Sequence, residues 1–162
     1  MKKLDNRGFT LTELIVVIAI IGILAGVASA SINQIFSNQT RKFINDCDAM
    51  LTRCRVETLS GAPVGTCVEL RLEDGKYYVA YYEGSRVAGE APIKVEEDQL
   101  KNSSASCTYT ENGTTVELES GTPLQISYMR TTGAMNENYT EIAVGNSKIT
   151  LVPATGYHKV GG

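Results

Sequence analysis

The side chains that could do chemistry in this chain are four cysteines, at positions 47, 54, 67 and 107, one histidine, at 158, and one carboxylate, Glu13, set in an apolar run. Cys47 and Cys54 are seven residues apart, so on a helix they share a face. Their Cα atoms would then stand about 10.5 Å apart, beyond the ~7 Å a disulfide can bridge. The remaining pairings join these two to Cys67 and Cys107, in either order, each bridge contributing ~2–4 kcal/mol. Four reduced core thiols are the alternative. No CxxC pair is present to favour a zinc site. His158, in TGYHKV, has no evident partner and reads as a surface residue rather than a catalytic base. GxSxG, HExxH, P-loop and GxGxxG motifs are all missing, so neither an enzyme nor a cofactor is expected.

Glu13 is unusual because of what surrounds it. Residues 1–8, MKKLDNRG, carry Lys2, Lys3 and Arg7 against Asp5, and no charge occurs over the 27 residues 14–40. Residues 14–30 are all apolar or small. As a helix, residues 9–30 would span roughly 33 Å, the thickness of a hydrocarbon core. The basic residues before them belong in the cytoplasm, which places the rest of the chain outside, where disulfides are permitted. An ordinary signal peptide competes with this reading, since Ala28-Ser29-Ala30 fits the small-x-small cleavage rule. Two features oppose it: a carboxylate inside an apolar helix costs a few kcal/mol, and the helical pattern continues past Ala30.

Gly8-Phe9-Thr10-Leu11-Thr12-Glu13-Leu14, followed by IVVIAIIGILA, resembles the N-terminus of type IV prepilins and of the pseudopilins of type II secretion. The resemblance covers residues 1–31. It implies that a membrane prepilin peptidase cuts between Gly8 and Phe9 and that the new terminus, Phe9, is N-methylated. Removal of the leader would leave 12 basic and 17 acidic side chains, a side-chain charge of −5. The resemblance also implies a role for Glu13, one turn on from Phe9: it neutralises the Phe9 ammonium of a neighbouring subunit. Such a pair sets register more than it adds net stability. The implied partners are the prepilin peptidase/N-methyltransferase, other pilin subunits in a homo- or hetero-filament, the membrane, and an assembly platform protein with its ATPase. Many pilins carry a kinking proline in the membrane half and a disulfide near the C-terminus; this chain has no proline before Pro63 and no cysteine after Cys107.

Beyond the apolar run, Ile32, Ile35, Phe36, Thr40, Phe43, Cys47, Met50, Leu51 and Cys54 recur mostly at steps of three and four, an amphipathic stripe. The spacing predicts one helix over 9–59, with a membrane and assembly half at 9–30 and an amphipathic half at 31–59. Ser60-Gly61 and Pro63 would stop it. Residues 60–162 read as a β-rich head. TCVELRL and KYYVAYYE flank Glu73-Asp74-Gly75, SASCTYT and TTVELES flank Glu111-Asn112-Gly113, and EIAVG and KITLV flank Asn146-Ser147, giving three hairpins. PLQISYM alternates as a further strand, and IKVEE could be a short strand or a loop. The fold class is α+β: a long N-terminal helix whose stripe packs on one antiparallel sheet, the ladle that the resemblance also implies.

All eight tyrosines follow residue 76, and Tyr77, Tyr78, Tyr81 and Tyr82 alternate across both faces of a strand. The chain's net charge of −3 offers no basic stripe for phosphates, so no nucleic acid is expected. The reading is a structural subunit of a type IV pilus or related secretion filament. The closing KITLVPATGYHKV resembles minor pseudopilins and favours a minor pilin or pseudopilin. The alternatives are a secreted or membrane-anchored β-domain binding protein behind an ordinary signal peptide, and a DNA-uptake pilin.

Overall fold

The computed structural model describes residues 10–61, 65–84, 92–101 and 105–161, with the backbone alone over 28–33. One helix, α1, runs over Leu11–Ser60, 50 residues. Its start is a capping box. Thr10 Oγ1 accepts the Glu13 backbone N–H (3.2 Å), while the Glu13 carboxylate accepts the Thr10 N–H (2.9 Å). Its end is Gly61, whose φ of +85° lets the chain turn out of the helix while its N–H reaches back to Thr58 O.

The chain divides within α1 into two units, Met1–Phe36 and Ser37–Gly162. In the first, Leu14, Ile15, Val16, Val17 and Ile18 together cover the circumference of the helix, and all are exposed. A helix apolar on every side belongs in lipid or among other helices. Among the described residues no helix is long and apolar enough to cross a membrane, and the described side chains of the expected membrane half stop at Val27.

In the second unit, Thr40, Phe43, Ile44, Cys47, Met50, Leu51 and Cys54 form the buried face of α1. The expected stripe is thus present from Thr40 onward and gains Ile44. Ile35 and Phe36 are exposed. A single sheet was expected, but the strands form two, both antiparallel. The first contains β1 (Thr66–Glu73), β2 (Lys76–Glu83), β3 (Ile93–Gln99) and β6 (Leu124–Ser127), in the order β3-β2-β1-β6. The second contains β4 (Cys107–Glu111), β5 (Thr114–Glu117), β7 (Tyr139–Val144), β8 (Ser147–Val152) and β9 (Tyr157–Gly161), in the order β5-β4-β7-β8-β9.

Two of the three hairpin turns form where turn chemistry placed them, and the third lies one residue earlier than expected, at Gly145-Asn146, because Ser147 already pairs with Val144. Asp74-Gly75 and Asn112-Gly113 have positive φ at both residues, the type I′ pattern, and Gly145 leads the turn into β8. The sheets separate because of edge competition. β6 occupies the open side of β1, pairing Cys67 with Ser127. The outer edge of β6 is then closed by its own chain: Asn136 N–H donates to Ser127 O (3.0 Å), and Glu137 accepts from Ser127 N–H and Oγ. With that edge filled, β4 pairs with β7 instead, Cys107 opposite Val144. Val68, Leu70, Val79 and Tyr81 of the first sheet share one core with Cys107, Ile142, Val144, Ile149 and Leu151 of the second and the inward face of α1. Each large side chain so buried contributes roughly 1.5–3 kcal/mol.

Candidate functional site

The N-terminal site begins at Thr10, because Gly8 and Phe9 lie outside the described residues. Glu13 stands in the first turn of α1 and is exposed. Its carboxylate binds Thr10 twice, through the backbone N–H and through Oγ1, both at 2.9 Å. It therefore has partners within its own chain, and the helix N-terminus also favours a negative charge there. The T-x-x-E spacing of Thr10 and Glu13 is itself a capping signal in the sequence, and the expected partner of Glu13, the Phe9 ammonium, lies outside the described residues. Farther along, a Cβ built on Gly22 or Gly26 would meet nothing within 4 Å. Both open small-residue faces where another helix could approach.

The four cysteines are spread over α1, β1 and β4. Cys47, Cys54 and Cys107 are buried, Cys67 is half-buried, and no disulfide joins the four. Cys47 and Cys54 share the inward face of α1, as their spacing requires. Cys54 Sγ lies 3.4 Å from Thr66 Oγ1, and Thr66 Oγ1 also donates to the Cys54 carbonyl (3.2 Å). Burial pushes the Cys54 thiol up to about 11 and that of Cys107 up to about 12. It pushes Cys47 upward as well, with Cys107 as the next contributor. Thiols held protonated are poor nucleophiles and poor metal ligands. Among the described residues no group of three or more His, Cys, Asp or Glu could hold a metal ion.

His158 is not a free surface residue. Its side chain is only 9% exposed, with Nε2 2.9 Å from Thr52 Oγ1 and 3.7 Å from Asp48 Oδ1, both on α1. Nδ1 faces Gly156 O at 3.4 Å. A catalytic relay needs nucleophile and acid on opposite ring nitrogens; here both face Nε2. The arrangement fastens β9 to α1.

The other flank of α1 is held by charge. Arg53 Nε contacts Glu57 Oε1 at 2.8 Å, Nη2 contacts Glu83 at 3.3 Å, and the guanidinium lies 4.5 Å over the Tyr81 ring. Tyr81 O–H donates to Glu57. On the outer face of the first sheet, Arg71 lies among Glu69, Glu73 and Glu97, donates to Tyr82 OH and covers the Tyr78 ring. Tyr78 and Tyr82 are therefore half-covered.

The prokaryotic N-terminal methylation motif matches residues 3–29. The chain is 33% identical over 101 residues to a type IV major fimbrial protein FimA of Dichelobacter nodosus, covering 59% of this chain and 64% of that protein. A second FimA of the same organism is 33% identical over 106 residues, covering 60% and 64%. The chain thus spans just under two thirds of the curated relatives it matches. No solved structure matches. These likenesses bear out the resemblance to the type IV pilin family read from residues 8–14.

Proposed function

We propose that this chain, carrying the N-terminal motif and sequence likeness of a type IV pilin, is a structural subunit of a type IV pilus or related secretion filament. The observation that carries the reading is the methylation motif over residues 3–29, which contains Gly8, Phe9 and Glu13 in order. In this reading a prepilin peptidase cuts between Gly8 and Phe9, Phe9 is N-methylated, and the apolar helix first anchors the chain in the cytoplasmic membrane. The same helix then packs among its copies in the filament, with the head outside. A platform protein and its ATPase would drive assembly. The protein is the substrate of these enzymes.

Glu13 takes two states in turn. In the free subunit it caps its own helix through Thr10; in the filament it faces the Phe9 ammonium of a neighbour. Replacing Glu13 with Ala leaves a membrane-inserted protein that is poorly incorporated into filaments. Normal incorporation of that variant would remove the role.

Within this reading, the closing strand pattern supports a minor pilin or pseudopilin, and the likeness to two major fimbrial proteins supports a principal subunit. Its stoichiometry in sheared filaments separates the two. The decisive experiment is intact mass with N-terminal sequencing of protein from native membranes. A chain starting at N-methylated Phe9 is expected. A chain starting at Ser31 would mean signal-peptidase cleavage and a secreted β-domain protein.

A further inference from the structure

We propose that the second sheet continues from one copy of this chain to the next, the β5 edge of one adding to the β9 edge of its neighbour. The proposal rests on the reading of the chain as a filament subunit packed among its copies, which holds neighbouring heads in one orientation. Among the described residues β5 pairs only with β4 and β9 only with β8. Both ends of that sheet therefore present a row of backbone groups that another strand can pair with. The first sheet offers less. Its β6 edge is closed by Asn136 and Glu137. The pairing of β3 is interrupted by a register shift, and Glu96, Glu97 and Asp98 of that strand already meet Arg53, Arg71 and Lys42.

Two properties make β5 and β9 complementary, and the first is charge. Residues 105–123, which hold β4 and β5, carry Glu111, Glu117 and Glu119 and no Lys or Arg. Residues 145–162, which hold β8 and β9, carry Lys148 and Lys159 and no Asp or Glu. Lys148 is satisfied by Glu141. Glu117 and Lys159 are both exposed and, among the described residues, make no ion pair. The second property is an apolar row. Val116, Tyr109, Ile142, Ile149 and Val160 stand side by side across the five strands. Ile142 and Ile149 are buried and Val160 packs on the core, while Val116, at the far end, is 39% exposed. A neighbour's Val160 set beside Val116 continues the row and covers its open end. Strand directions alternate across the sheet, so β5 and β9 run the same way and similarly oriented copies meet as a parallel pair. Alternation along each strand puts Glu117 and Lys159 together on the outer face, roughly 8 Å apart between Cα atoms on the diagonal, which their long side chains span.

The contact joins unlike edges. Pairing β5 with β5, or β9 with β9, brings like charges together, and a two-fold contact of that kind closes as a dimer. Pairing β5 with β9 leaves a free β9 at one end and a free β5 at the other, so a further copy can always add. Heterologous contacts of this kind build open helical chains. Main-chain hydrogen bonds hold the two strands, and the charges fix which edges meet. With only four residues in β5, the contact is a seam between heads that the packed helices have already brought together.

Zero-length cross-linking tests this contact. A carbodiimide condenses a carboxylate with an adjacent amine into an amide, and the water lost converts the reagent to a urea. Within one copy Glu117 and Lys159 lie on opposite edges of the sheet, four strand spacings or about 19 Å apart, so the amide reports a contact between copies. Sheared filaments are treated, and dimer bands from a denaturing gel are digested; the expected product is a peptide pair joined from Glu117 to Lys159. E117K and K159E each set like charges at the contact and should cut that dimer about tenfold or more. Both substitutions are on exposed positions and should melt with the parent. Co-expressed, the two variants should restore the dimer, because each supplies the edge the other lacks. Dimers linked only elsewhere, or a Glu117–Lys159 pair unmoved by either substitution, would overturn the proposal and leave the filament reading standing. The same reagent is applied to the concentrated full-length chain in detergent micelles. Glu117–Lys159 dimers there, with the chain missing from sheared filaments, would support the contact and overturn the filament reading. No such dimer in either preparation would overturn the contact.

Discussion

Thr52, in the penultimate turns of the long helix, and His158, four residues from the end of the chain, meet at 2.9 Å between Oγ1 and Nε2. Asp48 flanks the same nitrogen at 3.7 Å. This contact crosses 106 residues of sequence and ties the last strand, β9, to the helix that starts the head. Without it, β9 is an edge strand held by its pairing with β8 and by Val160 against the core. Thr52→Val should therefore cost about 1 kcal/mol, the usual worth of one side-chain hydrogen bond. In thermal unfolding that is a fall of roughly 2–4 °C, and amide exchange should quicken in β9 before the other strands. Unchanged protection in β9 would mean the strand is held without this contact.

Gly156 is fixed by a close approach. Its φ is +66°, and a Cβ there would stand 1.8 Å from Gly133 O. The same two loops are bound by Arg55, which donates to Gly133 O at 3.3 Å and to Thr155 O at 3.1 Å. Gly156→Ala must push the loops apart and strain the turn, costing about 2–3 kcal/mol. Chemical denaturation should show a clear drop in midpoint, larger than for Gly75→Ala, where nothing lies within 4 Å of the new Cβ.

Tyr128 presents the reverse case. Its hydroxyl is buried and, among the described residues, has no hydrogen-bond partner. Burial pushes its ionisation upward, with Cys54 and Cys47 as further contributors. An unmet buried hydroxyl costs free energy, so removing it without changing the ring's shape is close to neutral or stabilising. Tyr128→Phe should match or exceed the parent's melting temperature. A fall of several degrees would mean that the hydroxyl has a partner such as an ordered water.

Glu57 sets part of the acid response of the head. Its carboxyl is held below its ordinary 4.5 by Arg53 and then by the Tyr81 hydroxyl. Because the folded value is depressed, the contribution is fully present above pH 4.5 and is lost as pH falls through the folded value. Both partners of the Arg53–Glu57 pair are about a third exposed, so its share is modest, roughly 0.3–0.5 kcal/mol. Glu57→Gln should lower stability at pH 7 and converge with the parent in acid. A constant difference across pH would assign the loss to packing rather than charge.

Several parts of this protein were legible because they depend on near neighbours. The uncharged run after Glu13, the stripe from Thr40 to Cys54, and the Asp74-Gly75 and Asn112-Gly113 turns are each recorded within a few residues. So was the cap that Thr10 and Glu13 make, since T-x-x-E is a local signal. The helix and the hairpins follow from periodicity and turn chemistry alone.

The division of the strands into two sheets was decided elsewhere. It depends on Ser127 and Asn136 closing the edge of β6, so that β4 must pair with Val144 and its neighbours. The docking of His158 on Thr52, and of the Cys54 thiol on Thr66, likewise appears only when separate segments are packed. Edge pairing and burial are competitions among segments far apart in the chain, and their outcome depends on which surfaces are already occupied. Local pattern specifies each helix turn and hairpin; only the assembled tertiary structure selects which of them touch.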